Sequence, residues 1–195
     1  MLELGWFSTG RGQGSQGLLK MVVDAIHKKK LDARIIFVFC NRENGEHPGS
    51  DLFMEMVREY QIPLISFSSQ EFRRNQKASS ISMVREAYDR EVMDRLSYYS
   101  PDLCVLAGHM LIVGREMCRE YTMLNLHPAL PDGPMGTWDN VIWRIIESRA
   151  FEHGATIHLA TEELDQGPAL SYTSFPLQGD GFDKLWDEIE GQSVA

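Results

Sequence analysis

Two stretches of the chain end apolar runs on side chains that handle protons. In "YTMLNLHPALPDGP" the run closes on Asn125 and His127, with Pro128 directly behind. In "ATIHLATEELDQGP" it closes near a lone carboxylate, Asp165. Asn125 and His127 are two apart, so on an extended strand they face the same side. The amide is a donor that does not ionise, and the imidazole changes charge near neutral pH. Side by side they suit stabilisation of a developing oxyanion with proton exchange next to it. Pro128 restricts His127 to an extended backbone. Asp165 stands in a turn where Gly167 is free to take a positive φ. Plainer readings exist for each: a hydrogen-bonded histidine at a strand end, a solvated turn aspartate, and for His158, in "TIHL", a satisfied core histidine. A zinc site from His127, His158 and Asp165 would lack the HxxxH or HExxH spacing of common zinc sites, and no metal is expected.

A third stretch concerns anions. "STGRGQGSQG" follows the first apolar run and opens a helical pattern. Glycines let the backbone approach a bound anion, and a helix N-terminus offers free amides and a positive dipole. The spacing matches neither GxGxxG with its acidic partner nor GxxxxGK[ST]. Phosphate binding and a plain flexible turn are equally good readings of this loop alone.

The elements that must position these residues alternate. "LELGWF", "ARIIFVFC", "IPLISF", "DLCVLAG", "TMLNLH", "ATIHLA" and "ALSYTSF" read as strands. "SQGLLKMVVDAIHKKK" has helical spacing, with Leu18, Leu19, Val22, Val23 and Ile26 on one face. "GSDLFMEMVREY" is amphipathic, and "SSISMVREAYDREVMDRLSYY" predicts one long amphipathic helix. "GREMCRE" is a short helical piece. "TWDNVIWRIIESR" predicts a helix with Val141, Ile142, Ile145 and Ile146 inward, its Trp138 and Trp143 serving as core and rim packing. "GDGFDKLWDEIE" starts a last helix. Strands separated by helices signify an α/β fold with a doubly wound, mostly parallel sheet and helices on both faces. The link between the last two strands is too short for a crossover helix, so they pair antiparallel and make the sheet mixed.

Composition fits a single domain of 195 residues with ordinary hydrophobic (43%) and charged (24%) fractions. The net charge of -9, with no basic stripe, argues against a nucleic-acid partner. No apolar run is long enough to span a bilayer, and "MLELGWFSTG" does not read as a signal peptide. Cys40, Cys104 and Cys118 form no CxxC pair and read as reduced, so a cytoplasmic location is expected.

"LNLHPALP", "GATIHLATEELDQGP" and "REAYDREVMDRLSYYSPDLCVLAGHM" together resemble the folate-dependent formyltransferase family, with "GSQ" and "FCNR" in support. The resemblance runs from the first strand to about the last helix. It implies a Rossmann-like fold forming one catalytic domain over residues 1–195; either that domain is compact or a C-terminal piece is truncated or disordered. It implies transfer of a formyl group from 10-formyltetrahydrofolate, the cosubstrate, to a small-molecule primary amine. Glycinamide ribonucleotide of purine biosynthesis is the first acceptor it suggests. Another amine such as an amino-sugar nucleotide, or water in a formyltetrahydrofolate hydrolase, is the alternative. From a different class stands a non-catalytic nucleotide- or folate-binding module.

Carried over residue by residue, the resemblance makes Asn125 a donor to the formyl oxygen, His127 a proton-transfer partner and Asp165 the group that orients it. Gly14, Ser15, Gln16 and Arg85 would bind the phosphate of the amine substrate, with Thr156 and His158 on the strand beneath. Met110, Leu111, Ile112, Val113, Glu162, Glu163 and Leu164 would flank the folate pterin. No metal, nucleic acid or membrane is implied, and the chain would be a monomer or homodimer. Leu111 and the stretch "PDGPMGTWDNVIW" depart from the family pattern, which leaves the acceptor open.

Overall fold

Alternating side chains divide the first two strands between two cores. The structure, a computed structural model, describes residues 1–179 and 181–190. Strands β1 (Leu2–Ser8) and β2 (Ala33–Cys40) pair in parallel in the interior of the sheet. Phe7, Phe37 and Phe39 face one side, and Trp6 and Val38 face the other. Helices α1 (Gln13–His27) and α2 (Pro48–Glu59) bury Leu19, Val23, Phe53 and Val57 on the Trp6 side. Helices α4 (Arg85–Leu96) and α5 (Arg115–Glu120) bury Tyr88, Val92 and Met117 on the other. A sheet covered on both faces needs apolar residues at every position of its central strands, which accounts for the unbroken "ARIIFVFC".

The remaining elements are β3 (Leu64–Ser66), α3 (Ser69–Asn75), β4 (Leu103–Leu106), β5 (Met123–His127), α6 (Trp138–Glu147), β6 (Glu152–Leu159), β7 (Ala169–Pro176) and α7 (Asp183–Ile189). The seven-stranded sheet has the order β3-β2-β1-β4-β5-β6-β7. Pairing is parallel from β3 through β5, and β6 runs antiparallel to both of its neighbours. The expected doubly wound, mixed sheet is therefore present. Chain order reverses between β1 and β4, the switch point where open α/β sheets place ligands.

Two elements differ from the sequence reading. The stretch expected as one long helix is a 3-10 turn (Ile81–Val84) followed by α4, with Val84 at φ -120, ψ 15 breaking the ladder. The break lets Ile81 pack on the same core that Tyr88 and Val92 fill from α4. Helix α3 was not anticipated. It starts on Ser68, whose Oγ accepts from the Glu71 amide at 3.0 Å, a capping interaction within "SSQE". In α6, Val141 and Ile145 are buried and Ile142 and Ile146 half-buried, as the spacing required. Cys40 and Cys104 are buried, and burial pushes their thiols up to about 11 and about 12. The expectation for the C-terminal end falls on residues 191–195, outside the described residues.

Phe37 is fully buried, edge-on to Phe7 at 5.7 Å and tilted against Tyr99 at 5.2 Å. Phe37→Ala is expected to cost about 3–5 kcal/mol in urea unfolding. Met21→Ala, on the exposed face of α1, is expected to stay within about 0.5 kcal/mol of the parent.

Candidate active site

The site is built on the register between β5 and β6. Asn125 pairs with His158, and His127 pairs with Thr156. Cross-strand partners share a face, so these side chains gather at the carboxyl end of β5. His127, Thr156 and His158 are buried, at 8%, 4% and 5% exposure.

Asp165 reaches them from the loop between β6 and β7. Here the backbone differs from expectation. Asp165 itself takes the positive φ, at 55°, and Gly167 does not. Gly167 is required for a different reason: a Cβ there would lie 1.7 Å from the Leu159 carbonyl oxygen. The close approach lets the Leu159 amide donate to the Pro168 carbonyl at 3.1 Å and closes the loop that presents Asp165.

The polar atoms form one network. The Asn125 amide donates to Asp165 Oδ1 at 3.3 Å and lies 3.0 Å from His158 Nε2. His158 Nδ1 is 3.0 Å from the Leu159 carbonyl, which only accepts, so Nδ1 carries the proton of a neutral ring and Nε2 accepts from Asn125. Asp165 Oδ2 lies 3.6 Å from His127 Nδ1, and Oδ1 lies 3.7 Å from His158 Nε2. His127 Nε2 is 2.9 Å from the Pro134 carbonyl. Both nitrogens of His127 thus face oxygens. Thr156 donates its hydroxyl to the Ala129 carbonyl at 2.7 Å, so its side chain serves the strand end.

His127, His158 and Asp165 line two cavities at once. One, of about 310 Å³, is walled by Met110, Leu111, Ile112, Val113 and Leu164, with Asn125 at its base. Its mainly apolar wall with a few converging polar groups suits a flat ring system. The other, of about 650 Å³, opens toward Leu130, Asp132, Met135 and Gln166. A larger cavity, about 790 Å³, lies at the opposite end of the sheet around Tyr60, Tyr98 and Tyr99, away from the polar network.

The other expected residues divide. Glu162 and Glu163 line a separate cavity with Arg85, Glu86, Arg115 and Glu116, and Arg115 forms an ion pair with Glu162. Arg85 therefore sits with the Asp165 loop, and its cavity holds none of Gly14, Ser15 and Gln16. Those three lie in the first turn of α1, where the Gln16 amide donates to the Gly12 carbonyl at 3.5 Å and the N-cap, Gly12, offers no side-chain bond to the amides before it. Beside this turn, Gly108 stands at a φ of 70°, and a Cβ there would meet Ser15 Oγ at 2.4 Å. The β4 end is thereby pressed against the glycine turn. Trp138 is 62% exposed and lines the smaller cavity, so it belongs to the rim and not the core. His109 also lines that cavity and was not anticipated. Its signal was position alone, directly after the apolar run of β4. Among the described residues, no group of three or more His, Cys, Asp or Glu side chains is placed to hold a metal ion. No helix among them is long and apolar enough to cross a membrane.

Comparison with known proteins places this geometry in a class. The formyl transferase family model matches residues 11–183, and the chain belongs to that family. It is 30% identical over 188 residues to the phosphoribosylglycinamide formyltransferase of Escherichia coli (strain K12), covering 94% of this chain and 79% of that protein. To the protein of the same name from Dictyostelium discoideum it is 30% identical over 171 residues, 82% of this chain and 78% of the relative. Glycinamide ribonucleotide transformylase 1 from Geobacillus kaustophilus superposes with a TM-score of 0.73 at 24% identity, over 97% of this chain and 90% of that one. The Rossmann-like formyltransferase fold is thus shared.

Gly167→Ala should strain the Asp165 loop, because the added carbon meets backbone. A loss of about 1–3 kcal/mol or more in thermal unfolding is expected, together with reduced activity, as the carboxylate is carried away from His127.

Proposed function

We propose that the chain transfers a formyl group from 10-formyltetrahydrofolate to the primary amine of glycinamide ribonucleotide, a step of purine biosynthesis. The observation that carries this reading is the convergence of Asn125, His127 and Asp165 in one polar network, with His127 and Asp165 lining both cavities and Asn125 the smaller. Family membership and the names of the relatives support the reaction and the acceptor. We take residues 1–195 as one catalytic domain, acting in the cytoplasm as a monomer or homodimer.

The amine nitrogen attacks the formyl carbon. A carbon–nitrogen bond forms, and the formyl oxygen becomes an oxyanion while the nitrogen becomes positive. The Asn125 amide stabilises that oxygen. Both of its hydrogens are held in the free protein, and the longer contact, 3.3 Å to Asp165, is the one released to the oxyanion. Asp165 and His127 relay the proton from the ammonium to the departing folate nitrogen as the old carbon–nitrogen bond breaks. Neither step needs a covalent enzyme intermediate, and the gain from holding two substrates in one geometry is large.

Met110, Leu111, Ile112, Val113 and Leu164 would flank the pterin. Glu162 and Glu163, which share a cavity with Arg85 and Arg115, would lie on the folate side. The amides of Gly14, Ser15 and Gln16 would take the phosphate of the ribonucleotide, and His158 would hold Asn125 in place.

Formyl transfer should be measured with 10-formyltetrahydrofolate and a panel of amines that includes glycinamide ribonucleotide and an amino-sugar nucleotide, with water as the blank. Asp165→Asn should leave folding and folate binding intact and lower kcat by roughly 10²–10⁴. Asn125→Ala should cost about 2.7–4 kcal/mol of transition-state stabilisation. Wild-type turnover by Asp165→Asn would overturn the assignment of roles. Faster transfer to another amine, or hydrolysis alone, would overturn the acceptor.

A further inference from the structure

His109 is held more firmly than its place in a loop requires. The Thr9 amide donates to the Gly108 carbonyl at 2.9 Å, and the Met110 amide donates to the Thr9 hydroxyl at 2.9 Å. The backbone is thus tied on both sides of residue 109 to Thr9, the residue that follows β1. The imidazole packs edge-on to Phe7, with ring centroids 5.9 Å apart, and lies 6.4 Å from Phe39. Its Nδ1 is buried and has no hydrogen-bond partner among the described residues. The ring lines the cavity that Asn125, His127 and Asp165 close at its base. Those polar groups are bonded to one another, whereas His109 brings hydrogen-bonding capacity that the protein leaves unused.

We propose that His109 is a specificity-determining contact for the folate cosubstrate, its imidazole donating an Nε2–H hydrogen bond to a carbonyl or ring-nitrogen acceptor of the pterin. This rests on the formyl-donor reading above. Two arguments fix the donor. An unpaired N–H buried among phenylalanine rings is costlier than an unpaired lone pair, so the proton belongs on Nε2 and not on Nδ1. Nδ1 is sealed away, which leaves Nε2 as the nitrogen that meets the cavity. Burial also pushes the ring down to about 4, so it stays neutral at physiological pH. A neutral donor on an aromatic support favours a flat, uncharged heterocycle with acceptors on its edge. It gives no advantage to an anion.

The test is calorimetric titration of the whole chain with tetrahydrofolate, beside steady-state kinetics and thermal melting. His109→Phe keeps the contacts with Phe7 and Phe39 and removes both nitrogens. It should bind tetrahydrofolate about tenfold more weakly, as expected when a ligand acceptor loses its buried partner. KM for 10-formyltetrahydrofolate should rise with little change in kcat, the mark of binding shared by ground and transition states. Its melting temperature should equal or exceed that of the parent, because the orphaned Nδ1 is gone. His109→Gln, whose amide nitrogen reaches about as far as Nε2, should recover most of the affinity. Parental affinity in His109→Phe would overturn the proposal, as would weaker binding that merely tracks a lower melting temperature. If the wild-type chain takes up no tetrahydrofolate, the formyl-donor reading falls and this assignment falls with it.

Discussion

The antiparallel pairing of β6 with β5 is the constraint on which the site depends. It sets Asn125 opposite His158 and His127 opposite Thr156. A slip of one residue would turn every one of these side chains to the other face of the sheet. The register is held by more than its ladder. Thr156 bonds to the Ala129 carbonyl beyond the end of β5, and the Ala160 amide donates to the Met123 carbonyl at 2.8 Å at the other end. β6 ends beside Leu124, at the amino-terminal side of β5, and the loop that follows carries Asp165 back to Asn125 and His127.

Within that frame the chemistry is one of hydrogen-bond accounting. A carbonyl beside His158 Nδ1 decides its tautomer, and the tautomer decides which group of Asn125 faces it. The amide is thereby oriented as a donor before any ligand arrives. Asp165 binds the arrangement together because its two oxygens face different partners. Such preorganisation is where most of the advantage of an oxyanion-stabilising site originates, since no reorientation is needed during reaction.

How far the sequence discloses this depends on the range of the interaction. Asn125 and His127 were legible because a period of two is a local property of a strand. The mixed sheet was legible from the shortness of the link before β7. The capping serine of α3 was present in "SSQE", but a helix of seven residues leaves little periodicity to support it. Asp165 could be joined to His127 only through family resemblance, because nothing local announces the β5–β6 register. Gly167 was noticed for a φ it does not adopt; its true constraint is a carbonyl from another segment. The resemblance assigns Arg85 to the glycine turn, whereas in the structure Arg85 lines a cavity with Arg115 of α5 and with Glu162 and Glu163 of the Asp165 loop, a juxtaposition no local pattern announces. His109 was invisible because its importance lies in a missing partner.

The exposed indole at the rim has an optical consequence. Trp138 opens α6 at the edge of the smaller cavity, whereas Trp6 is sealed in the core on the far side of the sheet from Phe7. A planar ligand entering beside Trp138 replaces water around that ring, while the environment of Trp6 stays the same. The chain therefore carries its own reporter of occupancy: emission from Trp138 shifts with filling, over a background from Trp6, Trp143 and Trp186, none of which lines that cavity.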